Sequence, residues 1–237
     1  MLNPRIDYGF SLKIDPHTMV SLIEISITQL HLANSGLRLF GQPFMPGATA
    51  VGIAYKNGVI LAAEKRFSYG TYVISRAGKK VFKITNYAGA ACAGMVADMQ
   101  ILIRNIQSFV RIRELETRRP VPPNSIAKLI SVVLFERRYF PFLTQIVIGG
   151  IDAEPVICVL DPLGSVIPDQ YAAVGTGAEV AIGVIESAYT PSMVEDEAKK
   201  LAIKSIKSAI QRDAASGDGA DMLIITKDGS REESFSF

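Results

Sequence analysis

Strand-like and helix-like stretches come in separate blocks along this chain of 237 residues, and their order constrains the fold more than any other feature. Short apolar runs broken by turns fill residues 50–94, as in "AVGIAYKNGVILAAE" and "YAGAACAGM". Two helical stretches follow, then further strands, two more helices and the strand "DMLIIT". Strand blocks separated by helix pairs do not fit a parallel sheet built from βαβ units. We therefore predict an α+β fold in which two mainly antiparallel sheets face each other, with a helix pair on each outer face.

The turn signals predict how the strands pair. Asn-Gly is the strongest short hairpin signal, so Lys56-Asn57-Gly58 predicts a hairpin between the first two strands. The segment "YVISRAGKKVFKIT" predicts a second hairpin around Ala77-Gly78, and "SVIPDQYAAVG" reads as one strand after the turn at residues 162–165.

The first helical stretch is "VADMQILIRNIQSFVRIRELETRR". Its spacing predicts an apolar side made of Ile101, Ile106, Phe109 and Ile112. Prolines end this helix, and Asn124 is then the predicted N-cap of a second helix, "SIAKLISVVLFERR".

Composition narrows the class of protein. Apolar residues make up 49% of the chain and charged residues 20%, which predicts a large buried core. The net charge of +2 gives nucleic-acid binding little support. Cys92 and Cys158 lie in apolar runs, so we expect buried free thiols in a reducing compartment. No metal-ligand spacing is found, and no motif requires a cofactor.

The segment before residue 49 reads differently from the rest. Its apolar stretch "MVSLIEISITQLHLA" contains Glu24 and His31 and is too short and polar to span a bilayer, so we expect no membrane association and a cytoplasmic protein. We interpret residues 1–48 as a leader, with an ordered arm or a start at Met45 as alternatives. Residues 49–237 form the predicted domain.

From residue 48 to about 230 the chain resembles the β subunits of archaeal 20S proteasomes, which are N-terminal-nucleophile hydrolases. The motifs that carry the resemblance are "AVGIAYKNGVILAAEKR", "GKKVFKI", "AGMVADMQ", "GGID", "YAAVGTG" and "QRDAASGDGADMLIIT", in family order. The resemblance implies a four-layer αββα sandwich and a barrel of heptameric rings, with two β rings inside two α rings. It also implies hydrolysis of unfolded polypeptides, which a regulatory ATPase feeds through the α rings.

The implied chemistry needs a threonine at the start of the mature chain. Such a residue combines a hydroxyl nucleophile with a free α-amine, and an α-amine that titrates near pH 8 can accept the hydroxyl proton. A neighbouring lysine ammonium favours the neutral amine by like-charge repulsion, and a carboxylate must hold that lysine if it is buried.

The resemblance implies which residues fill these roles. Lys80 is the lysine and Glu64 its carboxylate partner, and Gly94 supplies a backbone N–H to the oxyanion. The network around the amine consists of Thr176, Asp213 and Ser216. Each of these residues alone also has a plain interpretation, such as an exposed charge or a packing glycine.

The same resemblance implies the walls of the substrate pocket: Phe67, Gly78, Cys92 and Val96. These side chains are apolar or small, which predicts cleavage after hydrophobic residues. The alternative is that Cys92 and Val96 are ordinary core residues.

The pattern breaks at the nucleophile. A gapless match through "VGI" and "GKKVF" puts Ala48 in the position of the catalytic threonine, and Thr49 falls one place later. Either cleavage before Thr49 makes this residue the nucleophile, or the subunit is non-catalytic and shares its ring with an active β subunit. A one-residue shift turns a strand side chain to the opposite face, which disfavours Thr49. A ring-forming scaffold without a peptidase partner is a third hypothesis.

Overall fold

A computed structural model of the chain describes residues 47–237. The interpretations given above for residues 1–46, including a start at Met45, lie outside the described residues. The strands are β1 (Thr49–Tyr55), β2 (Gly58–Glu64), β3 (Phe67–Tyr69), β4 (Tyr72–Ser75), β5 (Val81–Lys83), β6 (Ala88–Gly94), β7 (Thr144–Ile151), β8 (Pro155–Leu160), β9 (Val166–Asp169), β10 (Tyr171–Gly175), β11 (Ala220–Thr226) and β12 (Gly229–Phe235). The helices are α1 (Val96–Thr117), α2 (Pro123–Glu136), α3 (Ala178–Glu186) and α4 (Glu195–Ile210).

Two five-stranded antiparallel sheets form the centre of the fold. Their strand orders are β10-β1-β2-β11-β12 and β5-β6-β7-β8-β9, and β3 and β4 form a separate small hairpin. Leu61, Val147 and Leu223 belong to a buried cluster between the sheets. Helices α3 and α4 cover the first sheet and α1 and α2 cover the second, each pair over its own buried cluster. The four-layer α+β sandwich is confirmed.

The side chains at the start of β1 alternate between the two faces of its sheet. Ala48 and Ala50 belong to the cluster between the sheets, whereas Val51 and Ile53 belong to the cluster under α3 and α4. Neighbouring strand residues point to opposite faces, so the whole start of β1 follows this alternation. The strand is paired on both sides, with Thr49 opposite Gly175 and Ala50 opposite Ala63, and this pairing fixes the register.

The structure corrects three predictions about strands. The hairpin at Lys56-Asn57 forms as predicted, but Ala77-Gly78 does not join a hairpin: β4 pairs with β3, and β5 pairs with β6. The run "SVIPDQYAAVG" is two strands in different sheets, because the chain crosses between the sheets at Gln170. Strand β12 was not predicted from the sequence, and its mixed polar residues suit an edge strand.

Two predictions about helices are wrong. The buried side of α1 consists of Met99, Leu102, Ile103, Ile106 and Val110, while the predicted Ile101, Phe109 and Ile112 are exposed. This helix carries apolar residues on two faces, so spacing alone selected the wrong one. Helix α2 begins at Pro123 after Pro122 as its N-cap, because proline suits the first helical position, and Asn124 lies inside the helix. Among the described residues, no helix has the length and apolar character to cross a bilayer.

Candidate active site at the start of the first strand

A buried ion pair joins the end of β2 to the residue that precedes β5. The ammonium of Lys80 contacts the carboxylate of Glu64 and donates to the backbone carbonyl of Arg66. The side chains of Lys80 and Glu64 are 1% and 0% exposed, whereas the neighbouring Lys79 is 50% exposed. The interpretation of Lys80 as a solvated surface lysine is therefore wrong, and so is that of Glu64 as an exposed charge.

The carboxylate of Glu64 is held from three directions. Besides contacting Lys80, it accepts hydrogen bonds from the backbone N–H of Arg66 at 2.7 Å and of Gly217 at 2.9 Å. Burial raises the pKa of Glu64, and Lys80 and these N–H donors oppose that rise. Burial lowers the pKa of Lys80, against the attraction of Glu64.

A second polar cluster centres on Asp213, which follows α4. Its Oδ2 accepts the hydroxyl of Ser216 at 2.6 Å and the hydroxyl of Thr176 at 2.5 Å. Thr176 follows β10 and Ser216 lies in the loop after α4, so the end of β10 and this loop meet at the Asp213 carboxylate. A carboxylate that accepts two hydroxyls fixes the direction of both O–H bonds.

Ala48 lies at the edge of this cluster. Its backbone N–H donates to the Oγ1 of Thr176 at 3.2 Å, and its C=O accepts the N–H of Thr176 at 2.9 Å. Its methyl group belongs to the cluster between the sheets, together with Val81 and Ala93. Position 48 thus faces the same side as the residue that follows Lys80.

Thr49 faces the other way. Its side chain is fully buried, and its Oγ1 lies 2.8 Å from the Oγ of Ser216. The hydroxyl of Ser216 gives its single proton to Asp213, so Thr49 must be the donor to Ser216. The Thr49 hydroxyl is therefore a member of the Asp213 network on the face of β1 opposite Ala48.

This arrangement combines a buried lysine–glutamate pair, a carboxylate with two hydroxyls and the start of the first strand at one end of the sandwich. A family model described as "Proteasome subunit" matches residues 45–225. The chain belongs to the proteasome subunit family.

Curated relatives agree with this assignment. The chain is 54% identical to "Proteasome subunit beta 1" of Nitrosopumilus maritimus over 189 residues, which cover 80% of this chain and 96% of the relative. It is 50% identical to "Proteasome subunit beta 2" of Pyrobaculum aerophilum over 194 residues, or 81% of this chain and 96% of the relative. The resemblance to archaeal proteasome β subunits is confirmed, and the chain belongs to the proteasome β-subunit family.

In this proteasome subunit, Gly94 closes β6 in a conformation that other residues rarely adopt. Its φ is +134°, and a Cβ at this position would lie 2.1 Å from the carbonyl oxygen of Leu143. Helix α1 begins two residues later, at Val96. The close approach of the Leu143 backbone leaves no room for a side chain and explains why glycine stands here, while the role of Gly94 in binding an oxyanion stays a prediction.

We expect Gly94→Ala to lower the free energy of unfolding by at least about 2 kcal/mol, because a backbone contact and an unfavourable φ combine. The shift of the urea denaturation midpoint measures this loss. Gly183→Ala in α3 is the matched control, since nothing lies within 4 Å of a Cβ there; this change should be neutral or stabilising. Equal effects of the two substitutions would contradict the geometry.

The four predicted pocket residues do not share one environment. Gly78 and Phe67 are neighbours, because a Cβ on Gly78 would lie 3.6 Å from the Cβ of Phe67. Val96 is half-buried at the start of α1. Cys92 is fully buried in the cluster under α1, and burial raises the pKa of its thiol. Cys92 therefore presents no surface to a substrate in this structure, which favours the alternative that it is a core residue.

Arg66 is a site residue that was not predicted from the sequence. Glu64 in the motif "AVGIAYKNGVILAAEKR" has a predicted role and Arg66 has none, yet the backbone of Arg66 contacts both Glu64 and Lys80. The available signal was a third charged residue in a row at the end of a fully buried strand. Gly217, which donates to Glu64, was also missed, because it comes 153 residues later with no spacing rule to connect them.

Proposed function

We propose that this chain is a β subunit that holds the surrounding network of a threonine-type peptidase site but supplies no nucleophile of its own. The main support for this proposal is the register of β1, which fixes the direction of each side chain at its start. The methyl of Ala48 occupies the face between the sheets, and the hydroxyl of Thr49 points to the opposite face, where it is bound to Ser216. Alanine has no hydroxyl with which to attack a carbonyl.

In this proposal the complex hydrolyses peptide bonds of unfolded polypeptides, and a second β subunit provides the terminal threonine. That threonine attacks the peptide carbonyl through its hydroxyl, its own α-amine accepts the hydroxyl proton, and backbone N–H groups hold the oxyanion. The Lys80–Glu64 pair of this chain then stabilises the fold at the equivalent position without taking part in a reaction.

Ring assembly with α subunits and another β subunit is part of the same proposal. The relatives are β subunits by name. Helix α1 also carries a row of exposed apolar side chains, Ile101, Phe109, Ile112 and Leu115, each more than half exposed. A helix with a second apolar face is expected to pack against a further surface, and neighbouring subunits would provide one.

A second candidate function is favoured by one observation: the Thr49 hydroxyl already belongs to the Asp213 network. Cleavage between Ala48 and Thr49 would free the amine of Thr49 beside its own hydroxyl. This requires the start of β1 to turn over, because the hydroxyl now faces away from the cluster between the sheets. It also removes the hydrogen bonds between Ala48 and Thr176, in which the Ala48 N–H donates to Thr176 Oγ1 and the Thr176 N–H donates to the Ala48 carbonyl.

The test is reconstitution with α subunits, with and without a second β subunit that has threonine in the nucleophile position. We expect peptidase activity only with the second β subunit, no loss of it in Thr49→Ala, and a mass that retains Ala48. An N-terminus at Thr49, together with activity of this chain alone that Thr49→Ala abolishes, would overturn the proposal in favour of the second candidate. Rings that contain both β subunits and show no activity would support the scaffold hypothesis.

A further inference from the structure

Arg66 touches both halves of the candidate site. Its backbone N–H donates to Glu64 Oε2, and its carbonyl accepts the ammonium of Lys80. Its guanidinium reaches the loop of residues 213–218, where Nε donates to Asp218 Oδ2 at 2.9 Å and Nη1 donates to the carbonyl of Ala214 at 3.1 Å. One residue therefore links the ion pair and the loop.

That loop carries the second half of the network. It holds Asp213 and Ser216, and its Gly217 donates to Glu64 at 2.9 Å. The C=O of Gly217 also accepts the N–H of Lys65 at 3.2 Å. The position of the loop thus decides whether the hydroxyls around Asp213 face the start of β1.

The loop backbone is shaped to receive the guanidinium. A Cβ on Gly217 would lie 2.3 Å from the guanidinium of Arg66, so glycine permits the close approach. Asp218 adopts the left-handed region with a φ of 67°, which turns its carboxylate to Arg66. Arg66 lowers the pKa of Asp218, consistent with a charged hydrogen bond.

We propose that the guanidinium of Arg66 is a positioning device that holds the loop of residues 213–218, and with it Asp213 and Ser216, against the Lys80–Glu64 pair. The planar guanidinium donates to a carboxylate and a carbonyl at once, which a lysine ammonium on a flexible stem does not reproduce in the same geometry. The inference rests on the proposed function only in treating this loop as part of a peptidase site.

Arg76 provides a matched control. It lies 3.7 Å from the other oxygen of Asp218, but its side chain is 79% exposed, against 26% for Arg66. Removing Arg76 takes the same charge from the same carboxylate. It leaves the bond to Ala214 and the contact with Gly217 in place.

The first test is backbone amide exchange in the full chain, measured by mass spectrometry on peptides that cover residues 213–218. Loss of a hydrogen bond to a charged group should make exchange at these amides about tenfold faster or more in Arg66→Met. We expect no such change in Arg76→Met and only partial protection in Arg66→Lys. Millimolar guanidinium should restore protection in Arg66→Ala, which a general loss of folding would not allow.

Amide exchange in β6 and β7 is the control for correct folding. If Arg66→Met fails to fold, Arg66→Lys replaces it as the test variant. Equal protection of the loop in Arg66→Met and the unaltered chain would overturn the inference. Equal loosening by Arg76→Met would do the same, since charge alone would then suffice.

The second test introduces Ala48→Thr and measures peptidase activity in the assembled ring. In that background Arg66→Met should lower kcat about 10²-fold with KM unchanged, because the network is displaced while the pocket is kept. An unchanged kcat would contradict the positioning role. If the Ala48→Thr ring is itself inactive although its mass shows a terminal threonine, the proposed function fails, and amide exchange still decides the role of Arg66.

Discussion

Glu64→Ala should lower the free energy of unfolding by about 4 kcal/mol, because it leaves the ammonium of Lys80 buried without its counter-charge. Lys80 is 1% exposed, so its ammonium lies away from bulk water in the folded protein. The same substitution removes the acceptor of two backbone N–H groups, those of Arg66 and Gly217. Urea denaturation of the full chain, followed by circular dichroism, measures the change.

The neighbouring pair gives the control. Lys79 and Glu232 lie 2.7 Å apart, but both side chains are about half exposed. Glu232→Ala should cost no more than about 1 kcal/mol, since exposed ion pairs contribute little. The double variant Glu64→Gln with Lys80→Met should cost less than Glu64→Ala, because no unpaired charge remains. A loss in Glu64→Ala no larger than that in Glu232→Ala would show that the pair is not buried as the structure has it.

The layers of the fold could be predicted because strands and helices have different periods. In β1 and β2, short apolar runs joined by Lys56-Asn57 defined a hairpin, and the grouping of helices excluded a parallel sheet. Helix α1 shows the limit of this reasoning. Ile101 and Ile103 are equally apolar, yet one is half exposed and the other buried, because only the sheet beneath decides which face is inside.

Only part of the candidate site could be predicted from the sequence. Physical chemistry alone required a buried lysine to have a carboxylate partner, and the structure puts Lys80 in contact with Glu64. The resemblance identified Glu64 as that carboxylate. Spacing could not do so, because the β3–β4 hairpin separates Glu64 from Lys80 in the sequence. The run of charged residues marks Arg66, but its guanidinium contacts and the role of Gly217 could not be predicted, because both depend on how the loop after α4 lies against the end of β2.

The direction of Thr49 is a case in which a simple rule and the structure agree. Alternation along a strand predicted that residues 48 and 49 face opposite ways. The structure places Ala48 with Val81 and Ala93, and Thr49 with Ser216. The rule could not reveal that Ser216 would be the acceptor of the Thr49 proton, because that contact spans 167 residues.

Ala48→Thr should give this subunit a peptidase activity of its own in rings with α subunits. A threonine at position 48 would begin the mature chain after cleavage behind Gly47 and would bring its hydroxyl and amine to the side of Val81. We expect peptide hydrolysis to rise about 10³-fold or more over the unaltered ring, since loss of a nucleophile typically costs more than this. Initial rates on a peptide with a hydrophobic residue before the cleaved bond measure the gain.

Two further variants test whether the gain in peptide hydrolysis comes from a terminal threonine. Ala50→Thr adds the same atoms on the same buried face of β1 but cannot produce a terminal hydroxyl, so it should stay inactive. Adding Lys80→Met to Ala48→Thr should abolish the gain, because the amine then loses the neighbouring charge that favours its neutral form. If Ala48→Thr remains inactive while its mass shows a terminal threonine, the register assigned to β1 is wrong. The nucleophile position must then be sought at Thr49, with the strand turned over.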